Sequence, residues 1–308
     1  MVGAVLLSAS RSDRMRRLVG SAPVTRPVVD RFVAGETQDD ALAAIAKLKD
    51  QGIDVTLDHL GEDITSAAQA RVNRDAYLRV LEALGPEGVA GGRVEVSVKL
   101  SAFGQSLPVG GHELALGGVW EVAAAAEAIG TTVTLDMEDH TTVDSTLSIL
   151  ADLRKEFPGT GAVLQSYLFR TEEDARELAV TGSRVRLVKG AYKEPASVAY
   201  QDKAEVDKAY VRCLRILMAG TGYPMIGSHD PRIIEIARTL ALQNERSNTS
   251  YEFQMLYGIR TAEQQRLVGL GHRVRAYVPY GGDWYGYFMR RLAERPANLT
   301  FFLRSLVT

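Results

Sequence analysis

The sequence predicts an α/β fold, a (βα)8 barrel of the TIM type, and three observations carry that prediction. Short β-branched runs alternate with helical stretches eight times over, the pattern of parallel strands joined by crossover helices. The helix starts carry capping and acidic signals. The strands alternate apolar with strongly polar residues, as strands with two different environments do. An open doubly wound sheet is the competing arrangement. Eight strands in order with none left over favour the barrel.

Taken in order, residues 1–52 precede the first strand and read as an N-terminal helical extension, with helical character over 38–49 (QDDALAAIAKLK). Residues 53–308 form the barrel. The strands fall at 53–58 (IDVTLD), 94–100 (VEVSVKL), 132–137 (TVTLDM), 162–168 (AVLQSYL), 183–189 (SRVRLVK), 224–228 (PMIGS), 250–255 (SYEFQM) and 273–279 (RVRAYVP). Helices fall at about 65–84, 119–129, 142–157, 171–181, 203–220, 231–243, 261–270 and 283–295. Thr171 is followed by Glu172, Glu173 and Asp174, which suit a helix's positive end. Asp230 precedes Pro231, an N-cap with proline at the first helical position. Thr261 with Gln264 three residues on reads as a capping box. A closing helix is expected over 296–308.

Composition bounds the function. With 308 residues, 46% hydrophobic and 24% charged, the chain is not a disordered one. No run of about 18 apolar residues offers a membrane span. A net charge of −2 argues against a bulk basic surface for nucleic acid. The single cysteine, Cys213, excludes an intrachain disulfide and a cysteine-rich metal site. It sits among Val211, Leu214, Ile216 and Leu217 and reads as core. The apolar start MVGAVLLSAS has no cation before it, unlike a signal peptide, so a cytoplasmic protein is expected. Arg11, Arg14, Arg16 and Arg17 read as a solvated helix face, with contact to anionic lipid as the alternative.

One face of the strands builds an unusually polar lumen. Glu95, Ser97 and Lys99 oppose Val94, Val96 and Val98; Asp136 opposes Leu135 and Met137. Gln165 shares a face with Tyr167, Arg184 with Arg186, Glu252 with Gln254, and Arg273 and Arg275 with Tyr277. Barrel interiors are normally filled by branched apolar residues, and isolated buried charges cost several kcal/mol each. The lumen therefore holds internal ion pairs, a polar ligand, or both. Lys99, Asp136, Gln165, Arg186 and His229 fall at or near strand C-termini, where barrel enzymes place their chemistry.

The last helix, WYGYFMRRLAER (284–295), places Tyr287 four residues before Arg291 and Arg290 four before Glu294. Two adjacent arginines with one glutamate leave a guanidinium free to clamp a carboxylate or phosphate. Trp284, Tyr285 and Tyr287 after the Gly281–Gly282–Asp283 turn suit a helix that closes over a site. No dinucleotide-fold glycine fingerprint, P-loop or H-E-x-x-H is present. The Asp136, Glu138, Asp139, His140 cluster lies among too many cations for a metal, and no metal is expected. On these residues alone, an enzyme acting on a small anionic substrate and a non-catalytic amino-acid-binding protein both stay open.

Several motifs together resemble the monofunctional bacterial proline dehydrogenases: SVKLSAF (97–103), LDMEDH (135–140), LQSYL (164–168), RLVKGAYKEP (186–195), GSHD (227–230), YEFQMLYGIR (251–260) and RAYVPYGGDWYGYFMRRLAERPAN (275–298). They stand in family order from about residue 50 onward. The resemblance implies a distorted (βα)8 barrel, FAD as cofactor, and oxidation of L-proline to Δ1-pyrroline-5-carboxylate with electrons passed to a membrane quinone. It further implies a peripheral contact with the inner face of the membrane and a separate 1-pyrroline-5-carboxylate dehydrogenase downstream.

Carried onto this chain, the resemblance implies that Arg290 and Arg291 pair with the proline carboxylate, helped by Lys99. Tyr277, Tyr287 and Leu256 shape the ring pocket, with Tyr277 favouring proline over hydroxyproline. Asp136 holds the basic residues in place. Gln165 and Arg186 face the flavin ring system, Val188, Lys189, Gly190 and Ala191 line the cofactor, and Ser228 and His229 meet its phosphate or adenosine side. Tyr192 packs at the site's mouth, and Glu294 orients the arginine pair.

Overall fold

Eight parallel strands close on themselves in strict chain order, each neighbour pairing with the next and the last with the first. The structure, a computed structural model, describes residues 29–62 and 64–294, the last four by their backbone alone. The expected helix over 296–308 and the arginines at 11–17 lie outside the described residues.

The first helix, α1 (Gln38–Asp50), is started by a reciprocal cap: Asp40 N–H donates to Thr37 Oγ1 at 3.2 Å, and Thr37 N–H donates back to Asp40 Oδ2 at 3.0 Å. It buries Ala41, Ala44, Ile45 and Leu48, one helical stripe, against the barrel. Then come β1 (Asp54–His59), α2 (Ala67–Val89), β2 (Val94–Val98) and α3 (Gly111–Ala128). Regular helix in α2 stops at Leu84, because Gly85 adopts φ +54° and Pro86 follows. Helix α3 begins eight residues before the expected 119, since the glycines of GHELALGGVW mask its period. The chain continues as β3 (Val133–Leu135), α4 (Val143–Leu153), β4 (Gly161–Gln165), α5 (Thr171–Leu178), β5 (Arg184–Val188) and α6 (Lys203–Ala219). It ends as β6 (Tyr223–Gly227), α7 (Pro231–Gln243), β7 (Glu252–Leu256), α8 (Thr261–Gly269), β8 (Val274–Tyr280) and α9 (Trp284–Glu294).

The strand faces sort as the alternation requires. Val94, Val96 and Val98 are fully buried toward the helices, each contributing roughly 1.5–3 kcal/mol. Cys213 is buried core. Asp230 caps α7 through Arg232 N–H at 3.0 Å, with Pro231 in the first turn.

Two local expectations are corrected. Thr261 forms no capping box: the N-cap of α8 is Arg260, in the left-handed region at φ +51°, and Gln264 Nε2 donates to the Ile259 carbonyl at 2.8 Å instead. Tyr167 does not share the lumen with Gln165, because β4 ends at Gln165 and the Tyr167 ring packs beneath Gly190.

The lower lumen is an ion-pair lattice. Arg275 Nε donates to Glu252 Oε1 at 2.8 Å, and its other nitrogens donate to the Val55 and Gly92 carbonyls at 2.8 and 2.9 Å. Glu95 takes Arg184 at 2.5 Å and Thr56 Oγ1 at 2.8 Å, and Asp54 takes Arg93 and Arg273 at 3.0 Å. Burial resists the charge on Glu252, but Arg275 and Arg184 outweigh it and hold the carboxyl down at about 2. A second apolar cluster sits at the opposite end. Val29, Phe32 and Val33 of the extension pack with Leu60, Ile259 and the Trp284, Tyr285, Phe288 and Met289 side chains of α9. Trp284 Nε1 adds a hydrogen bond to Glu36 at 3.0 Å.

Candidate active site

A cavity of about 790 Å³ opens at the C-terminal ends of the strands. Its walls divide by element. The ends of β2, β3, β8 and helix α9 give one sector: Lys99, Asp136, Tyr277, Tyr287 and Arg290, with Leu256 of β7 beside them. The ends of β4, β5 and β6 give the other: Gln165, Arg186, Val188, Lys189, Gly190, Ala191, Tyr192, Ser228 and His229. Every expected site residue whose side chain is described therefore meets in one cavity. The side chains of Arg291 and Glu294 lie outside the described ones.

The first sector is built around Lys99. Its ammonium donates to Asp58 Oδ2 at 2.7 Å and to the Tyr277 hydroxyl at 3.1 Å, with Glu62 and Asp136 each at 3.5 Å. Burial works against the charge, yet Asp58, Tyr277, Glu62 and Asp136 together hold its pKa well above that of an ordinary lysine. Asp136 is clamped from two sides. Its Oδ1 accepts from Ser97 Oγ and Arg186 Nη1, both at 2.7 Å, and its Oδ2 accepts from the Tyr277 hydroxyl at 2.6 Å. Burial would raise it, but Lys99 and Arg186 win and keep it ionised. Tyr277 is kept neutral, chiefly by burial and then by Asp136. Lys99 and Arg186 also approach its ring, at 5.7 and 5.2 Å from the centroid.

Arg186 leads into the second sector. Its Nε donates to Gln254 Oε1, and Nη2 makes no hydrogen bond, with only Glu95 at 3.7 Å. Gln165 is fixed by its donation to the Glu138 carbonyl at 2.6 Å. His229 Nε2 accepts the Leu256 N–H at 2.9 Å, which puts the proton of a neutral ring on Nδ1. Gly190 adopts φ +116°, and a Cβ there would stand 2.3 Å from the Tyr167 ring, so only glycine lets this stretch lie down on the β4 turn. Lys189 is held between Asp207 and, at 3.4 Å, Asp230.

Sequence reasoning missed several members. Asp58, on the lumen-facing side of β1, anchors Lys99 at 2.7 Å. Arg290 pairs with Glu62, both carboxylate oxygens at 3.2 Å, a partner that no spacing on the last helix indicates. Glu62 lies in the irregular link after β1 and carries no periodic signal. Glu138 and His140 of the acidic cluster are engaged elsewhere, Glu138 by Ser101 N–H and Oγ at 2.9 and 2.6 Å and His140 by Glu194. Gln254 and Arg260, both lining the cavity, were also passed over.

Chemically, the cavity offers fixed cations on both walls, aromatic and aliphatic surface beside them, and room for a ligand at the large end of small-molecule sites. Comparison with known proteins agrees with that character. The proline dehydrogenase family model matches residues 41–304. The chain is 42% identical over 282 residues to a proline dehydrogenase of Deinococcus radiodurans, covering 91% of this chain and 90% of that one. It is 38% identical over 283 residues to proline dehydrogenase 1 of Bacillus subtilis, covering 92% of each. Among solved structures, it superposes with a TM-score of 0.80 and 26% identity on proline utilization A of Bdellovibrio bacteriovorus inactivated by N-propargylglycine. That match covers 88% of this chain and 33% of the other, so this chain spans about a third of that protein.

Proposed function

The chain belongs to the proline dehydrogenase family and is a flavin-dependent oxidoreductase that converts L-proline to Δ1-pyrroline-5-carboxylate in proline catabolism; from that premise we propose how its cavity divides between substrate and cofactor. The carrying observation is the sorting of the walls by element: Lys99, Asp136, Arg290 and the rings of Tyr277 and Tyr287 on β2, β3, β8 and α9, and Gln165, Arg186, the turn 188–191, Ser228 and His229 on β4, β5 and β6.

The second sector takes FAD, whose use is common to the family. Gln165, Arg186, Val188, Lys189, Gly190, Ala191, Ser228 and His229 hold it. The fit rests on the cavity's volume and on Arg186, whose buried Nη2 lacks a hydrogen-bond acceptor. When bound, FAD accepts the hydride lost from the carbon next to proline's nitrogen.

The first sector takes proline. Asp58, Glu62 and Asp136 already balance Lys99, Arg186 and Arg290. A substrate carboxylate brings a fourth negative charge, and Arg291, next to Arg290, supplies the fourth positive one. Arg290 and Arg291 clamp the carboxylate in fork geometry and Lys99 assists. Tyr277, Leu256 and Tyr287 wall the ring, which orients the reacting carbon without acid–base help. Asp136 keeps Lys99, Arg186 and Tyr277 in register. Tyr192 stands at the mouth, Glu294 orients the arginine pair, and α9 closes the cavity. Residues 1–52 serve as an extension to the catalytic barrel at 53–308, with residues 29–36 bracing α9.

The electrons go to a membrane quinone and the product to a separate 1-pyrroline-5-carboxylate dehydrogenase. This reading rests on the family resemblance. It places the protein in the cytoplasm, in peripheral contact with the membrane; among the described residues no helix is long and apolar enough to cross one.

The test is a visible absorption spectrum of purified protein before and after anaerobic addition of L-proline. A flavin spectrum that bleaches is expected. A flavin spectrum that proline leaves unchanged refutes the substrate assignment, and a protein that takes up no FAD refutes the division of the cavity.

A further inference from the structure

Among the described residues, five lysines and arginines line the cavity, and four of them are ion-paired. Lys99 meets Asp58, Arg186 meets Asp136, Lys189 meets Asp207 and Asp230, and Arg290 meets Glu62. The fifth, Arg260, has no carboxylate within ion-pairing distance among the described residues. Its one hydrogen bond is from Nη1 to the His229 carbonyl, at 2.8 Å. That bond fixes it beside His229 on the cavity wall, where Ser228 and Pro231 also line the space.

The backbone gives a second reason to look there. Arg260 sits at φ +51°, one of only two non-glycine residues in the left-handed region among the described residues. A side chain with a Cβ resists that conformation, and such strain persists where surrounding structure or function requires it. The turn reaches it by way of Gly258, at φ +68°, where a Cβ would collide with the Arg31 carbonyl. The chain thus makes a tight, strained corner that leaves on the cavity wall a guanidinium with no carboxylate in ion-pair contact among the described residues, Glu263 feeling its charge only at longer range.

We propose that Arg260 binds a phosphate group of the flavin dinucleotide, a cofactor contact supplied by β7's following turn rather than by β4, β5 or β6. The proposal rests on the division of the cavity given above. Chemistry favours Arg260 over its neighbours for this task. Lys189 lies between two carboxylates, and Arg232 is tied to Asp230 at 2.9 Å and Asp207 at 3.1 Å, so both are already engaged in ion pairs. Arg260 is in no such pair among the described residues, and its remaining N–H donors suit paired phosphate oxygens.

The experiment measures FAD affinity of apoprotein by flavin fluorescence quenching, for wild type, Arg260→Gln and Arg260→Lys, at several salt concentrations. Loss of a charge-assisted contact is expected to loosen FAD about tenfold or more in Arg260→Gln. The salt dependence of binding should flatten in the same variant, and Arg260→Lys should recover most of both. Unchanged affinity in Arg260→Gln overturns the proposal. So does equal loosening in both variants with the wild-type salt dependence retained, which would assign Arg260 to packing. Wild type that binds no FAD would instead overturn the division of the cavity on which this rests.

Discussion

Glu252 offers the sharpest test of how a barrel tolerates a charged lumen. The perturbation is Glu252→Gln, which keeps shape and removes charge. Glu252 is fully buried and accepts from Arg275 at 2.8 Å, Gln254 at 2.6 Å and Tyr223 at 3.1 Å. Its carboxyl sits at about 2 against an ordinary 4.5, because Arg275 and Arg184 overcome the burial that opposes its charge. That difference corresponds to about 3 kcal/mol of folding stability. Breaking a buried ion pair from one side costs about 3–5 kcal/mol, which agrees. The sign follows from the depressed value. The contribution is complete above pH 4.5 and is lost as pH falls toward 2. The assay is urea unfolding followed by circular dichroism, for both proteins, from pH 7 down to pH 3. The variant should be about 3 kcal/mol less stable at pH 7, and the gap should narrow below pH 4.5. A gap under about 1 kcal/mol at pH 7, or one that does not change with pH, would refute the reasoning.

Two further predictions concern the cavity. Arg290→Met removes the cation held by Glu62 at 3.2 Å; KM for proline should rise about tenfold or more while flavin content, read at visible wavelengths, stays at the wild-type level. Gly190→Ala forces a Cβ to 2.3 Å from the Tyr167 ring at φ +116°, so the purified variant should carry far less flavin per chain than wild type.

Much of this was legible because β-strand alternation is a local property. Val94, Glu95, Val96 and Ser97 announce their faces without reference to any other strand, so the polar lumen could be foreseen. Its dual use, ion pairs below and a site above, could not, since that depends on which strand ends lie across from one another. Lys99 and Tyr277 were identifiable from their motifs. Asp58 and Glu62 were not: they reach Lys99 only because β1 pairs with both β2 and β8. Arg260 was hidden by a plausible cap, Thr261 with Gln264, which the left-handed backbone at Arg260 displaces. Capping preferences compete at energies of about 1 kcal/mol, small enough for a tight tertiary corner to override.

The closing seam sets a schedule for the cell. From Asp54 to His59, β1 pairs with Arg275 to Tyr280 of β8, the longest register in the barrel, between segments some 220 positions apart. Tyr277, which ties Lys99 to Asp136, arrives with that strand. On the ribosome, the earlier strands emerge with their charged lumen faces unmatched and their edges open. They must wait for the eighth before any substrate can be held. A nascent chain stalled before residue 274 would therefore be an inactive, edge-exposed target for chaperones and proteases, and turnover of proline would begin only after the seam is made.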